Sequence, residues 1–112
     1  MKFKLAAVLA IPALLAACET IPDDNTAWTS PAQGLLLAEE NCSSCHAVRR
    51  TGESPNEDAT EFVEIANLGM TEESLAHWLT DSHNFPADMG FALSDTQAQG
   101  LAAYIATLRS GD

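Results

Sequence analysis

Cys42-Ser43-Ser44-Cys45-His46 constrains this chain more than any other stretch. Two thiols stand three residues apart, and an imidazole follows the second directly. Residues at that spacing share one face of a helix, so both sulfurs can serve one object beside it. Three chemistries use thiols in this way: a redox dithiol, half of a zinc site, and an anchor for a prosthetic group. Size adds to the constraint. A domain of about 80 residues buries only ~60% of its unfolded surface, and chains this small usually add a disulfide, a metal or a cofactor. The motif is therefore expected to hold the fold together as well as to carry chemistry.

The motif lies at the end of a predicted helix. Ser30 is a candidate N-cap, Pro31 suits the first helical position, and Gln33 completes a capping box. The helix is expected to run to about His46. Gly34, Ala38, Cys42 and Cys45 fall at spacings of four, four and three, on one small-sided, thiol-bearing face. Residues 47–59 read as polar loop. Residues 60–68 form a short helix with Phe62, Ile65 and Leu68 inward, broken by Gly69. A third helix follows Thr71, with Glu72 and Glu73 at its positive end and Leu75, Trp78 and Leu79 as its apolar stripe. Residues 82–93 hold proline and glycine without a period and read as ordered loop. Ser94 and Gln97 open a last helix with Ala98, Leu101, Ile105 and Leu108 inward, and Arg109 and Gly111 end it. No segment reads as a strand, so the class is all-α.

The first residues carry a different signal. Lys2 and Lys4 precede an uncharged run from Leu5 to Ala17, the length of a signal-peptide core and shorter than the ~20 residues that span a bilayer. Leu15-Ala16-Ala17-Cys18 resembles the lipobox of bacterial lipoproteins, in which the cysteine is acylated and becomes the first mature residue. The organisation expected is a leader over 1–17, an acidic tether over 18–30, and one domain over 31–112. A flexible tether of about 12 residues reaches ~20 Å. Trp28 is its one aromatic residue, either packed back on the domain or placed near a membrane interface. Acylation of Cys18 accounts for the odd cysteine and leaves Cys42 and Cys45 as a matched pair.

Loss of the leader leaves Arg49, Arg50 and Arg109 against all 16 acidic residues, a formal charge of −13. Such a surface excludes nucleic acid and anionic headgroups as partners and suits proteins with a basic docking face. Acidity that merely keeps an exported protein soluble is the plainer reading.

A thioredoxin-like dithiol opens a helix between strands, whereas this motif closes one in a chain without strands. A structural zinc needs a second ligand pair, and only His77 and His83 remain. Covalent haem fits without strain. Two thiols a turn apart add to the two vinyl groups on one porphyrin edge, and His46 comes under the iron as proximal ligand.

The chain resembles the small, bacterial, all-helical monohaem cytochromes c over residues 31–110. Gly34, eight residues before Cys42, matches the glycine at which the first helix of that family crosses the last. Leu101–Leu108 (LAAYIATL) is similar to its C-terminal helix, with Leu101 and Tyr104 at the crossing. Gly52–Pro55 (GESP) and residues 69–95 are similar to a bacterial subgroup. The resemblance implies three to five helices around one haem c held through Cys42 and Cys45, with the terminal helices crossing. It also implies a backbone carbonyl near Phe62 that accepts the His46 ring N–H. Two departures stand out. Thr60 and Glu61 occupy positions where relatives commonly have proline, and Gly90 follows Met89 where proline is usual.

Four side chains are candidates for the sixth position. The resemblance implies Met89, in the irregular loop before the last helix. Met70 reads as packing near the haem edge, His83 as a loop hydrogen-bonding residue or a ligand, and His77 as solvated. Arg49 and Arg50 either reach a propionate or are simply solvated. Trp78 either donates its indole N–H to a propionate or fills the core. The expected function is electron transfer by a monomeric carrier, on the periplasmic side, anchored to a membrane only by lipid, with redox proteins as partners. It is not expected to be an enzyme. The rivals are a haem-based sensor or peroxidase-like protein with a labile sixth ligand, and a fixed electron-transfer subunit of a larger oxidoreductase.

Overall fold

A computed structural model describes residues 9–10, 28–84 and 86–111. The expected leader, the lipobox residue Cys18 and most of the tether lie outside the described residues. Those described form five helices and no strand: α1 (Pro31–Asn41), α2 (Phe62–Ala66), α3 (Glu72–Asp81), α4 (Pro86–Met89) and α5 (Asp95–Ala106). The class expected from sequence is the one observed.

Local chemistry starts the long helices where their caps stand. Ser30 Oγ accepts from the Gln33 N–H at 3.3 Å, and Thr71 Oγ1 from the Ser74 N–H at 3.1 Å. At α5 the reciprocal box is complete. Ser94 Oγ accepts from Gln97 N–H at 3.2 Å, while Gln97 Oε1 accepts from Ser94 N–H at 3.0 Å. Each such cap satisfies amide donors that the helix itself leaves orphaned. At α1 only the Ser30 half of the expected box forms.

Helix α5 is the hub, packed against α1, α3 and α2. Its Leu101, Ala102 and Ile105 are buried together with Leu37 and Ala38 of α1, Phe62 and Ile65 of α2, and Leu75 and Leu79 of α3. The crossing of α1 over α5 is built from glycine. A Cβ on Gly34 would lie 2.0 Å from the Gly100 carbonyl oxygen and 2.8 Å from Tyr104 Cβ. Gly100 has its own reason to lack a side chain, since a Cβ there would lie 1.7 Å from the Trp28 carbonyl oxygen. Trp28 thus packs back on the domain, partly buried against the core. Tyr104 seals the crossing by donating its hydroxyl to the Val48 carbonyl at 2.5 Å.

Two expectations need correction and two gain detail. Helix α1 ends at Asn41, not His46, because Ser43 N–H as well as Cys42 N–H turns to the Ala38 carbonyl (3.0 and 2.9 Å). Residues 42–46 then continue as tight turns. Gly100 joins Tyr104 as a residue that meets Gly34 in the crossing, and buried Leu101 also lines a cavity that α3 shares. Leu68, just past the end of α2 at Ala66, is 63% exposed and lines the cavity described below. The segment 82–93 contains a short helix, α4, where only loop was expected.

Candidate functional site

The turns after α1 place the motif at the mouth of a cavity of about 730 Å³, within the size range of small-molecule and cofactor sites. Phe62, Leu79, Leu101 and Ile105 form its apolar floor. Cys42, Cys45, His46, Met89, His83 and Trp78 all line it. All four site residues expected in the domain therefore reach one cavity.

Backbone hydrogen bonds hold the motif. Cys45 N–H and His46 N–H both donate to the Cys42 carbonyl, at 3.2 and 2.9 Å. The loop after the motif is sewn to it: Asn56 N–H donates to the Cys45 carbonyl (3.1 Å), Ala47 N–H to Ser54 Oγ (3.0 Å), and Phe62 N–H to the Ala47 carbonyl (2.9 Å). These bonds give the loop containing Gly52–Pro55 a specific task, and composition alone did not reveal it. With α1 ending early, the thiols differ: Cys42 packs partly buried against the core, and Cys45 is exposed. Burial, and secondarily the neighbouring Cys45, pushes the Cys42 thiol up to about 11.

His46 Nδ1 lies 2.7 Å from the Thr60 carbonyl oxygen. A carbonyl only accepts, so Nδ1 carries the proton, and in the neutral ring the lone pair is left on Nε2. That arrangement is the usual second contact of a metal-binding histidine. Thr60 itself supplies the carbonyl. The ring packs against Phe62, with centroids 5.5 Å apart.

In the same lining, His83 stacks on Trp78 with centroids 5.1 Å apart and planes 7° apart. Its ring centroid is 5.9 Å from that of His46. Burial, and then the His46 charge, holds its imidazole below the ordinary range. Met89 closes α4, partly buried, and Gly90 comes next with φ +78°, a conformation that proline cannot adopt. Asn84 pins the ends of this loop together: its amide donates to the Leu93 carbonyl (3.1 Å) and accepts from the Leu93 N–H (3.0 Å). Nothing in the sequence marked Asn84, because its partner is nine residues away across irregular chain.

Of the other candidates, Met70 also lines the cavity; it is partly buried and its carbonyl accepts from Arg109 at 2.6 Å. His77 pairs with Asp81 at 2.9 Å on the exposed side of α3. Arg49 pairs with Glu39, and Arg50 donates to the carbonyls of Thr107 (2.7 Å) and Leu108 (3.3 Å) at the end of α5. Neither arginine lines the cavity, and among the described residues its wall carries no lysine or arginine.

Among the described residues no group of three His, Cys, Asp or Glu side chains is arranged to hold a bare metal ion. Two thiols beside a histidine with a fixed tautomer, over an apolar floor, instead suit a large flat macrocycle bonded at one edge and ligated through a nitrogen. The donor set fits covalent haem.

Comparison with known proteins points the same way. The family model described as Cytochrome c matches residues 31–109. A cytochrome c-552 from Bradyrhizobium diazoefficiens is 38% identical over 77 residues, which cover 68% of this chain and 72% of that protein. No solved structure matches at comparable significance. The chain belongs to the cytochrome c family, and it is an electron-transfer haem protein whose one haem c is covalently held through Cys42 and Cys45.

Proposed function

We propose that this chain is an exported, lipid-anchored monohaem carrier of single electrons, with His46 and Met89 as its axial ligands, and that it is not an enzyme. The observation that carries the ligation is the His46 Nδ1–H bond to the Thr60 carbonyl, which leaves Nε2 to face the cavity that Met89 also lines. Bound haem supplies a one-electron iron couple, and a thioether opposite imidazole raises its potential relative to two imidazoles. The protein's part is to fill both axial positions and to keep water out. Phe62, Leu79, Leu101 and Ile105 supply the apolar floor, and filled axial positions leave no place for peroxide or oxygen.

The formal charge of −13 on the mature chain favours partners with a basic face. No helix among the described residues is long and apolar enough to cross a membrane. Attachment is assigned to acylated Cys18 and the tether of residues 18–30, with the leader over 1–17 removed on export to the periplasmic side. The domain over 31–112 acts as a monomer.

A second reading, a ligand-binding sensor with a labile sixth position, draws support from the glycine turn at Gly90 in place of proline. Absorption spectra of the matured protein decide between them. Under His/Met ligation the oxidised form shows the weak near-infrared sulfur-to-iron band, the reduced form ignores carbon monoxide, and Met89→Ala abolishes the band. Absence of the band with rapid carbon monoxide binding would put the sensor reading first. Loss of membrane association in Cys18→Ser tests the anchor.

A further inference from the structure

We propose that His83 is a second axial donor of this chain, one that takes the sixth position when Met89 leaves it. The inference rests on the assignment of His46 and Met89 as ligands and extends it to the state reached once the methionine is released.

Geometry comes first. Two imidazoles bound end-on to opposite sides of one metal have ring centroids about 6 Å apart, because each metal–nitrogen bond is ~2 Å. The rings of His46 and His83 are 5.9 Å apart, with planes at 78°. Both line the same cavity. His83 thus stands at the distance from His46 that an opposite ligand requires.

Mechanics come second. His83 is fixed from the α3 side, not by the methionine loop. Its N–H donates to the Trp78 carbonyl at 3.1 Å, next to the Ser82 N–H that closes α3 on the same carbonyl at 2.8 Å. Its ring lies flat on the Trp78 indole. The next residue, Asn84, is clamped to Leu93 by two hydrogen bonds. Met89 sits inside the loop which that clamp closes, on the four-residue α4, ahead of the glycine turn. Movement of the loop between Asn84 and Leu93 carries Met89 away and leaves His83 in place.

The exchange balances simply. One metal–sulfur bond is given up and one metal–nitrogen bond is formed, donor for neutral donor, with no electron or proton transferred. The glycine turn then has a different consequence from an open site. Release of Met89 converts a higher-potential carrier into a lower-potential one with both axial positions still filled.

The test uses matured, haem-loaded protein in four forms: wild type, Met89→Ala, His83→Ala, and the double variant. Spin state, the near-infrared band, carbon monoxide binding and potential are read for each. The wild-type sulfur band tests the assignment on which the inference rests. The inference itself is read from Met89→Ala against the double variant. Met89→Ala is expected to stay low-spin, to show a two-nitrogen near-infrared band and a lower potential, and to bind carbon monoxide at least tenfold more slowly than the double variant. The double variant is expected to be high-spin and open, and added imidazole should return it to low-spin, which shows the cavity to be intact. A Met89→Ala protein already high-spin and as quick toward carbon monoxide as the double variant would overturn the proposal. So would a Met89→Ala protein whose low-spin state survives His83→Ala, since another group would then be the donor.

Discussion

Gly34→Ala probes the crossing on which the cavity depends. The added Cβ would stand 2.0 Å from the Gly100 carbonyl oxygen, and ordinary contact begins near 3.4 Å, so α1 and α5 must part by about 1.4 Å. The obstacle is helix backbone, which cannot swing aside as a side chain can. Overpacking costs ~1–3 kcal/mol, and a backbone obstacle belongs at the upper end. Alanine returns ~1 kcal/mol of helix propensity. The net loss expected is ~2 kcal/mol, which lowers the midpoint by roughly 8–16 °C in a domain of this size. Thermal unfolding of the matured protein, followed by far-ultraviolet circular dichroism and checked in guanidinium, measures it. Gly111→Ala is the control, because nothing lies within 4 Å of a Cβ there. Gly100→Ala should cost less than Gly34→Ala although its nominal overlap is greater. Its obstacle is the carbonyl of Trp28, before the first helix, and that segment can lift without moving a helix. A Gly34→Ala protein within ~0.5 kcal/mol of wild type, the range of ordinary surface substitutions, would refute the crossing as described.

Three further outcomes are expected. Tyr104→Phe removes the donor to the Val48 carbonyl and should cost ~1–2 kcal/mol by leaving a buried acceptor unpaired. Burial also holds the Tyr104 phenol above its ordinary value, so the unfolded chain loses that proton first. Stability contributed by this group is complete below about pH 10 and declines above it, and Tyr104→Phe should flatten that part of the alkaline unfolding curve. Asn84→Ala opens the clamp on the methionine loop; the sulfur-to-iron band should weaken and carbon monoxide binding should quicken while haem content is unchanged. Ser94→Ala breaks the capping box of α5 and should cost ~1 kcal/mol in denaturant titration, with no change in the haem spectrum.

The reading from residues went furthest where chemistry is local. Ser30, Thr71 and Ser94 mark helix starts because a capping side chain bonds amides two or three residues away. The class came from these signals, and the prosthetic group from Cys42, Cys45 and His46, because covalent anchoring needs its groups at neighbouring positions. Gly34 was legible through its spacing from Ala38 and Cys42. Its partner Gly100 was not singled out, although a glycine in mid-helix is itself a signal of close packing.

Contacts between distant segments were decided only by the tertiary structure. The identity of the carbonyl that orients His46 depends on how the loop of residues 47–61 closes, and it is Thr60. The partners of Arg49 and Arg50 are likewise set by the fold: Glu39 for the one and carbonyls at the end of α5 for the other. His83 illustrates the division best. Sequence places it six residues before Met89 and assigns it a loop, whereas packing on Trp78 brings its ring 5.9 Å from that of His46. Periodicity and capping are properties of neighbours along the chain and can be read from it. The meeting of two imidazoles 37 positions apart depends on the helices between them, and only their packing around α5 determines it.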